Sequence, residues 1–344
     1  MFEAVVMLCL EGAAGQCRAA LRPGYAAETL TACEEALTAN PPVPFAGQAG
    51  MAECRERPAP ALTFVKIAPH TFVHRGRIAE PDADNLGDVS NIAFVIGDDG
   101  VAVIDAGGSR AVGEAAYLAI REQTELPIKA LILTHMHPDH VLGASVFQEA
   151  GAEIIGRERL SRALAERSES YLQGFGERIG GAGFLGTVMT LPDREVSTTE
   201  TLDLGGRILT LTPHTTAHTT TDLSVHDPVS GVLFAGDLVF DDHAPALDGS
   251  LRGWTRVLAD LGQGSVTRVV PGHGGPVLPW PDGALPLMRY LETIAADTRK
   301  ALDDGLPLSS ATAVIGRSEA MNWQLFDLFN ARNATVAYTE LEWE

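Results

Sequence analysis

Short apolar runs alternate with longer amphipathic segments from Leu62 onward. Runs rich in apolar or β-branched residues, bounded by Gly, Asp or Pro, predict strands; they are "LTFVKI", "TFVH", "NIAFVIG", "VAVIDAG", "KALILT", "GRILTLT", "TDLSVHD", "GVLFAGD" and "VTRVVPG". Segments with the helical period predict helices; they are "AVGEAAYLAIREQT", "RERLSRALAERSESYLQGF", "SLRGWTRVLADL" and "LPLMRYLETIAADTRKAL". Strand meanders mixed with crossover helices favour sheets covered by helices on their outer faces.

The first part of the chain differs, because it holds all four cysteines: Cys9, Cys17, Cys33 and Cys54. "AAETLTACEEALTA" predicts a helix, and "NPPVPFAGQAG" predicts its exit into a linker. Four cysteines in a short segment indicate a local disulfide framework with three possible pairings. The alternative is four small buried thiols in a helical appendage. The complete absence of cysteine from the main body favours disulfides, and we predict a helical cysteine-bearing head over residues 1–57 and a main domain over 58–344.

Composition narrows the classes of partner. The 344 residues include 25 basic and 45 acidic side chains, a net charge of -20. Nucleic-acid binding depends on basic residues that neutralise phosphates, so this partner is excluded, and no apolar run is long enough to span a membrane. Disulfides would imply an oxidising compartment. The start "MFEAVVMLCLEG" is nevertheless a weak export signal, because Glu3 occupies a position where positive charge belongs. Either the true start lies upstream or the protein stays inside the cell.

The stretch "LILTHMHPDHVLGA" concentrates polar chemistry directly after a predicted strand. His135 and His137 are two residues apart, so both rings point the same way in extended backbone. Asp139 and His140 then point toward a neighbouring position, with Pro138 stiffening the turn. Imidazole nitrogens and carboxylate oxygens are good zinc ligands. A polar turn that is rich in histidine by chance is the alternative, but the spacing is uncommon enough to count as a strong motif.

Three further residues complete the ligand pattern, each beside a predicted strand. His218 lies in "TTAHTTTDLSV", Asp237 in "VLFAGDLVF" and His273 in "VVPGHGGPV". Each is weak evidence alone, because a single histidine is more often structural than a metal ligand. Their order along the chain, with a strand beside each, makes the set specific.

In this order, "THMHPDH", "AHTTTD", "FAGD" and "PGHG" resemble the metallo-β-lactamase superfamily over about residues 62–280. The resemblance implies an α/β fold, the four-layer αβ/βα sandwich, with the metals at the sheet edges. It implies two zinc ions, with iron or manganese also suited to these ligands.

Carried over by position, the first zinc takes His135, His137 and His218, and the second takes Asp139, His140 and His273. Asp237 bridges the two, so Asp139 and Asp237 are the predicted catalytic carboxylates.

Two nearby residues have secondary roles under this resemblance. Asp105, in "VAVIDAGG", matches a position that supports the metal loop. His214 competes with His218 for the same ligand role. The family pattern places a small residue before the ligand and a strand soon after it, which favours His218 and makes His214 a neighbour or an outer-shell partner.

More narrowly, "NLGDVSNIAFVIGDDGVAVIDAGGS", "FDDHAPALDGSLRGW" and "FDLFNARNATVAYTELEWE" look like the quinoprotein relay system zinc metallohydrolases. These are relatives of the sulfur-oxidation metallohydrolases and are associated with periplasmic alcohol dehydrogenases. This implies a functional link to a quinoprotein dehydrogenase and a periplasmic location, with the cytoplasm as the alternative. Branches that need an inserted domain, a cysteine ligand or a flavin domain do not fit this chain, whereas glyoxalase-like thioesterases share all the ligands.

The implied activity is hydrolysis, in which a metal-bound hydroxide attacks the carbonyl of a small ester, thioester, lactone or amide. Asp139 would orient the nucleophile or accept its proton. The first alternative is an iron-dependent oxidoreductase similar to persulfide dioxygenases, although a mononuclear site would not need all seven ligands. The second is a metal-binding accessory protein of the quinoprotein dehydrogenase system.

The segment "LVFDDHAPALDGSLRGW" is predicted to form a wall of the substrate pocket. Asp241, Asp242 and His243 form either another metal cluster or, as we favour, a loop with His243 outside the ligand shell. Arg252 and Trp254 are the predicted substrate-facing side chains, with a helix N-terminus and an amphipathic tryptophan as the alternative. The three remaining histidines are predicted to be ordinary, partly exposed residues: His70, His74 and His226.

Overall fold

The computed structural model describes residues 1–10, 15–45, 48–262 and 265–343. The N-terminal segment forms a three-stranded antiparallel sheet of order β2-β1-β3 with one helix. Its elements are β1 (Phe2–Cys9), β2 (Cys17–Ala27), α1 (Leu30–Ala39) and β3 (Gln48–Glu56). The predicted helix is therefore present, but the prediction of a helical head missed the three strands. The fold of this segment depends on pairing between strands, which the sequence of a single strand does not show.

Both pairs of cysteines in this segment form disulfides, which confirms the disulfide prediction. Cys9 and Cys17 face each other across the β1–β2 pair and are bonded. Cys33, fully buried on α1, is bonded to Cys54 on β3. The head is thus closed by two local crosslinks, and every cysteine of the chain is used.

The first sheet of the main domain has seven strands in the order β10-β9-β8-β7-β6-β5-β4. The strands from β7 to β10 run parallel, and β4 to β7 pair antiparallel. The strands are β4 (Val65–Ala68), β5 (Thr71–His74), β6 (Ile92–Ile96), β7 (Val101–Ile104), β8 (Ile128–Ile132), β9 (Glu153–Arg157) and β10 (Arg194–Val196).

The second sheet has six strands in sequence order, β11 to β16. Only β14 and β15 pair in parallel, joined by a helix that crosses the outer face. The strands are β11 (Glu200–Asp203), β12 (Ile208–Pro213), β13 (Leu223–Asp227), β14 (Val232–Phe240), β15 (Arg268–His273) and β16 (Leu278–Pro279).

Helices cover both outer faces. They are α2 (Arg110–Gln123), α3 (Pro138–Val141), α4 (Ala144–Glu149), α5 (Leu160–Ile179), α6 (Leu251–Asp260), α7 (Leu285–Asp303), α8 (Leu308–Ala311) and α9 (Phe326–Leu341), with short 3-10 turns at Gly181–Phe184, Asp282–Ala284 and Arg317–Glu319. None of the helices within the described ranges has both the length and the apolar character of a membrane span.

Side chains that alternate between the two faces of each strand pack the four layers together. On β7, Val101 and Val103 pack with the helices of the first face, whereas Ala102 and Ile104 pack against the second sheet. Successive side chains of a strand point to opposite faces, so a strand buried on both sides feeds two cores. A third core lies between the second sheet and α6, α7 and α9. The predicted αβ/βα sandwich is confirmed.

Charged side chains fasten the head to α2 and α4. Arg110, fully buried at the start of α2, donates to Glu114 at 2.8 Å and to Glu149 at 2.7 Å, and also to the carbonyl of Leu21 on β2. Arg18 of β2 reaches Glu114 at 2.7 Å. Because a buried guanidinium is costly unless it is paired, this network fixes where the head sits.

Candidate metal centre

The strand ends of both sheets converge on one edge of the sandwich. His135 and His137 follow β8, and Asp139 and His140 open α3 directly behind them. The second sheet supplies three more side chains: His218 from the β12–β13 loop, Asp237 from β14 and His273 from the end of β15. The structure brings all seven residues of the predicted ligand set together in two groups.

The first group consists of His135, His137, His218 and Asp237, whose nearest ligand-type atoms all lie within 4.8 Å of one another. His218 Nε2 lies 3.0 Å from His137 Nδ1 and 3.3 Å from Asp237 Oδ2. His135 Nε2 lies 3.5 Å from the same carboxylate oxygen.

The second group consists of Asp139, His140 and His273. His273 Nε2 lies 3.3 Å from Asp139 Oδ2 and 3.5 Å from His140 Nε2. Asp237 Oδ1 also faces this group, 3.2 Å from His140 Nε2. One carboxylate oxygen of Asp237 is therefore directed at each group, which is the arrangement that a bridging ligand requires.

The residues present fit metal ions. His135 Nε2 and Asp237 Oδ1 are buried polar atoms with no hydrogen-bond partner among the described residues. Such orphaned atoms are rare in folded proteins unless a ligand or ion satisfies them. Histidine nitrogens and carboxylates, with no thiolate, are donors that suit zinc, iron and manganese.

The histidines and the carboxylates of the two groups shift each other's pKa values. Burial would raise the pKa of the Asp237 carboxyl, but neighbouring His273 and His140 hold it well below its ordinary value. In turn, Asp237 and Asp139 outweigh the effect of burial on His273 and raise its pKa to about 9. Metal ions that bind here would displace protons from such histidines.

Each clustered histidine has one ring nitrogen that faces away from the centre, and this nitrogen has a polar neighbour. Nδ1 of His135 lies 3.0 Å from Thr134 Oγ1, and Nδ1 of His140 lies 2.8 Å from Asp105 Oδ2. Nδ1 of His218 lies 2.6 Å from the carbonyl of Ala246, and Nδ1 of His273 lies 2.9 Å from the carbonyl of Val89. Partners of this kind fix the tautomer and the ring orientation of metal-binding histidines.

Asp105 contacts the loop that carries His135 and His140. Its carboxylate accepts hydrogen bonds from the backbone N–H and the hydroxyl of Thr134, both at 2.8 Å, and contacts His140. Asp105 has a φ of +61°, a backbone conformation that costs energy in a non-glycine residue and occurs where side-chain geometry is fixed for function.

His137 has a different neighbour, which sequence reasoning missed. Its Nε2 lies 3.3 Å from Oδ2 of Asp248, and Oδ1 of Asp248 accepts a 2.6 Å hydrogen bond from Arg332 on α9. Asp248 lies inside the segment that was predicted to form a pocket wall, but nothing in its local sequence marked it as a partner of His137.

The structure separates His218 from His214. His218 is fully buried in the first group, whereas His214 lies at the strand end, with Nε2 2.7 Å from the hydroxyl of Ser224. The loop of His218 is held by Asp222, whose carboxylate accepts from the N–H and hydroxyl of Thr219. Burial raises the pKa of Asp222 to about 7.

A glycine makes room for Asp237. A Cβ atom at Gly272 would lie 1.9 Å from Asp237 Oδ1, so no other residue fits without displacing this carboxylate. On the neighbouring strand the pairing register shifts on both sides of Gly236, whose φ is +52°. This irregularity in β14 turns the Asp237 side chain toward the ligand cluster.

A cavity of about 830 Å³ opens above the two groups. His137, Asp139, Asp237 and His273 contribute to its lining, while α5 and α9 form its walls. As predicted, part of the 238–254 segment also lines it, with Phe240, His243, Ala246 and Asp248.

Arg252 and Trp254 lie in the first turn of α6, the alternative to a substrate-facing position, and neither lines the cavity. Arg252 is directed outward to Glu340 at 3.2 Å. Trp254 is fully buried with its ring 5.1 Å from that of His218, because α6 turns its apolar face to the core. His243 packs 4.6 Å from the ring of His273, outside the ligand groups. Asp241 and Asp242 belong to no metal-type cluster among the described residues.

Comparison with known proteins agrees with the fold and the clustered residues. The sequence model of the Metallo-beta-lactamase superfamily matches residues 86–273. That range is more than half of the chain and contains all the clustered residues, so the chain belongs to this superfamily.

Individual relatives are distant. The acyl-coenzyme A thioesterase MBLAC2 from Bos taurus is 26% identical, over 54% of this chain and 74% of its own; the Homo sapiens protein of that name is 28% identical over the same shares. A metallo-beta-lactamase from Pontibacter korlensis is 23% identical with a TM-score of 0.54, covering 67% of this chain and 99% of its own. FIM-1 from Pseudomonas aeruginosa, a mono-zinc form, is 18% identical with a TM-score of 0.53, covering 69% and 97%. At these identities the solved structures establish the fold alone.

Proposed function

We propose that the protein is a dinuclear zinc hydrolase that cleaves a small ester, thioester, lactone or amide. The observation that carries the proposal is the position of Asp237, which directs one carboxylate oxygen to each of two groups of metal-type side chains. A site for one ion would not need a carboxylate shared in this way.

Bound in these groups, two metal ions would supply Lewis acidity and an acidified water for attack on a carbonyl. The remaining roles belong to side chains of the chain. Asp139, partly exposed at the cavity floor, is placed to orient a nucleophile or take its proton. Tyr171 lines the same cavity, and because burial raises its pKa to about 12, its hydroxyl stays protonated and able to donate to a substrate oxygen.

Thioesters are the first substrates to test. The MBLAC2 relatives are described as acyl-coenzyme A thioesterases, and the ligand set without cysteine is the one shared with glyoxalase-like thioesterases. The cavity of about 830 Å³ is large enough for a small acyl compound.

We further propose that the protein works in an oxidising compartment, the periplasm, in connection with a quinoprotein dehydrogenase. The two disulfides of the head support the compartment. Fractionation of cells that express the native gene would test it, since a cytoplasmic fraction containing all of the protein would contradict this location.

Two measurements test the proposed activity. Elemental analysis of protein prepared with sufficient metal should find close to two zinc ions per chain, and a mononuclear iron content would instead favour the oxidoreductase alternative. A panel of chromogenic thioesters, esters, lactones and β-lactams should then show turnover that a chelator abolishes and zinc restores. Two bound metals without turnover on any class would favour the accessory-protein alternative.

A further inference from the structure

We propose that the substrate carries an anionic group, a carboxylate or a phosphate, in addition to its scissile acyl bond, and that Arg167 binds this group. The inference rests on the proposed function only for the position of the scissile bond. Binding of the anion is separate and is tested without turnover.

One face of α5 forms a wall of the cavity. Its lining residues are spaced by three or four positions: Arg167, Ser170, Tyr171, Gly174, Phe175 and Arg178. Side chains at this spacing lie on one side of a helix. The opposite wall comes from α9, with Leu328, Phe329 and Arg332.

Three arginines therefore line a cavity in a chain with a net charge of -20. Two of them are already neutralised. Arg178 pairs with Glu80 at 2.6 Å, and Arg332 pairs with Asp248 at 2.6 Å.

Arg167 differs from both. Over residues 1–10, 15–45, 48–262 and 265–343 its guanidinium has no carboxylate within ion-pair distance, and the one hydrogen bond of this group is a 3.4 Å contact to the carbonyl of Ala163. A guanidinium has five N–H donors, so most of its donors are left for a ligand.

Another arginine of α5 is exposed to solvent and paired, unlike Arg167. Arg162 is 81% exposed and pairs with Glu166 four residues on. Arg167, by comparison, is half-buried and stands one turn before Tyr171, which is also half-buried in the cavity wall. Phe175 and Phe329 add apolar surface nearby. Electrostatic attraction is stronger where water is partly excluded.

The chemistry that fits is an acyl compound with an anionic end. A guanidinium binds carboxylate or phosphate through two parallel hydrogen bonds. The aliphatic part of the substrate would lie against Phe175 and Phe329, and its acyl bond would reach the cavity floor at Asp139 and Asp237. Neutral acyl compounds of the same length would lack the contact with Arg167.

Calorimetric titration of the metal-loaded protein tests the proposal. Two series of bifunctional anions serve as probes: the dicarboxylates succinate, glutarate and adipate, and their analogues with one carboxylate replaced by phosphonate. The monoanions butyrate, valerate and caproate, of similar length, are the comparison. Every probe has a carboxylate for the metal groups, but only the bifunctional anions have a second anion for Arg167. We expect at least one bifunctional anion to bind about tenfold tighter than its monoanionic counterpart, a difference of about 1.4 kcal/mol. The better series identifies the anion as carboxylate or phosphate.

Three variants test whether Arg167 is the source of the preference for bifunctional anions. Arg167→Met should reduce the preference to near onefold, Arg167→Lys should retain part of it, and Arg162→Met should leave it unchanged. Equal binding of mono- and bifunctional anions by the wild type, or an unchanged preference in Arg167→Met at an unchanged melting temperature, would overturn the proposal. A clear preference without turnover on any substrate would instead remove the proposed hydrolase function and leave the anion site standing.

Discussion

Arg332 on α9 and Asp248 in the loop between β14 and α6 are joined by a 2.6 Å ion pair that holds the second oxygen of Asp248 3.3 Å from His137. The C-terminal helix α9 thus reaches the first ligand group through a single carboxylate. Neither residue is in the predicted ligand set, yet both help to decide which way the His137 ring points.

Loss of this carboxylate should weaken metal binding. We expect Asp248→Ala to lower the zinc affinity of the first group by about 10- to 100-fold, the usual effect of removing an outer partner of a ligating histidine. Competition with a chromophoric chelator measures the affinity directly. Asp327→Ala, on α9 and paired with Arg317 at the surface, is the control and should have no effect. Equal zinc affinities for Asp248→Ala and the wild type would show that His137 keeps its orientation without Asp248.

The two neighbouring histidines of the β12–β13 loop should differ in their effect on metal content. His218→Ala removes a ring nitrogen that lies within 3.3 Å of Asp237, so we expect the variant to lose about one ion per chain. His214→Ala removes a ring whose hydrogen-bond partner in the described part of the chain is Ser224, and this variant should keep about two. Elemental analysis of both variants after the same metal loading distinguishes them, and the reverse pattern would mean that His214 is the ligand.

Replacing Gly272 should reduce metal binding as much as removing the carboxylate of Asp237. In Gly272→Ala the new methyl group would lie 1.9 Å from Asp237 Oδ1 and must displace it from the second group. We therefore expect Gly272→Ala to resemble Asp237→Ala, with metal content falling from about two to about one and hydrolysis falling by orders of magnitude. Gly174→Ala, where the added methyl group meets open space on α5, should keep its metal. A fully loaded Gly272→Ala protein would show that β14 shifts to accommodate the methyl group.

His74 should make stability depend on pH. It was predicted to be partly exposed, but it is buried, with Nε2 2.7 Å from Asp88 Oδ1 and Nδ1 3.0 Å from the carbonyl of Thr63. Burial alone would lower its pKa, but the hydrogen bond and the charge of Asp88 outweigh burial and raise it above its ordinary value. A group whose pKa rises on folding stabilises the protein below its unfolded pKa of about 6.5, and this contribution is lost as pH rises through the folded pKa.

Urea unfolding of the wild type and His74→Gln at pH 6 and pH 9 tests this dependence. The difference in the free energy of unfolding should be about 1.5–3 kcal/mol at pH 6, as for a hydrogen bond to a charged group, and smaller at pH 9. Asp88→Asn should remove the same pH dependence. A difference that grows toward pH 9 would mean that His74 is neutral in the folded protein.

The buried arginine beneath the head should dominate its attachment. Arg110→Met would remove the main partner of Glu149 and leave Glu114 with Arg18 alone. We expect a loss of about 3–5 kcal/mol in the free energy of unfolding, as for a buried ion pair that loses one of its partners. The exposed Arg162→Met is the control and should leave the unfolding midpoint unchanged. A similar midpoint for both variants would show that the head is held by apolar packing instead.

The sandwich was predictable because its strands are short apolar runs buried on both faces. "VAVI" and "KALIL" need no partner to be recognised, and the ligand motif follows one of them directly. The head was less predictable. Its first strand, "FEAVVMLC", is stabilised by pairing with β2 and β3, and strand pairing depends on segments that lie far along the chain.

Side-chain direction limited the prediction of the cavity. The sequence indicates α6 but not which of its faces is turned inward, and so it leaves open whether Arg252 faces the pocket or, as in the structure, pairs with Glu340 outside it. The contact between Asp248 and Arg332 spans 84 positions and joins two ordinary charged residues, which no local pattern distinguishes from surface charges. Arg167 lies on a helix that was predicted correctly, but its place in the cavity depends on how α5 packs.

The confinement of every cysteine to the crosslinked head has a consequence for chemical resilience. All four cysteine sulfur atoms are already oxidised and lie in the first 54 residues, so the clustered histidines and aspartates have no thiolate among them. Peroxide and thiol-alkylating reagents therefore have no cysteine to attack at the site, and soft metals such as copper(I) have no sulfur of cysteine to capture there. A metal centre built here only from imidazole and carboxylate would keep its ligands under conditions that inactivate one built on a cysteine.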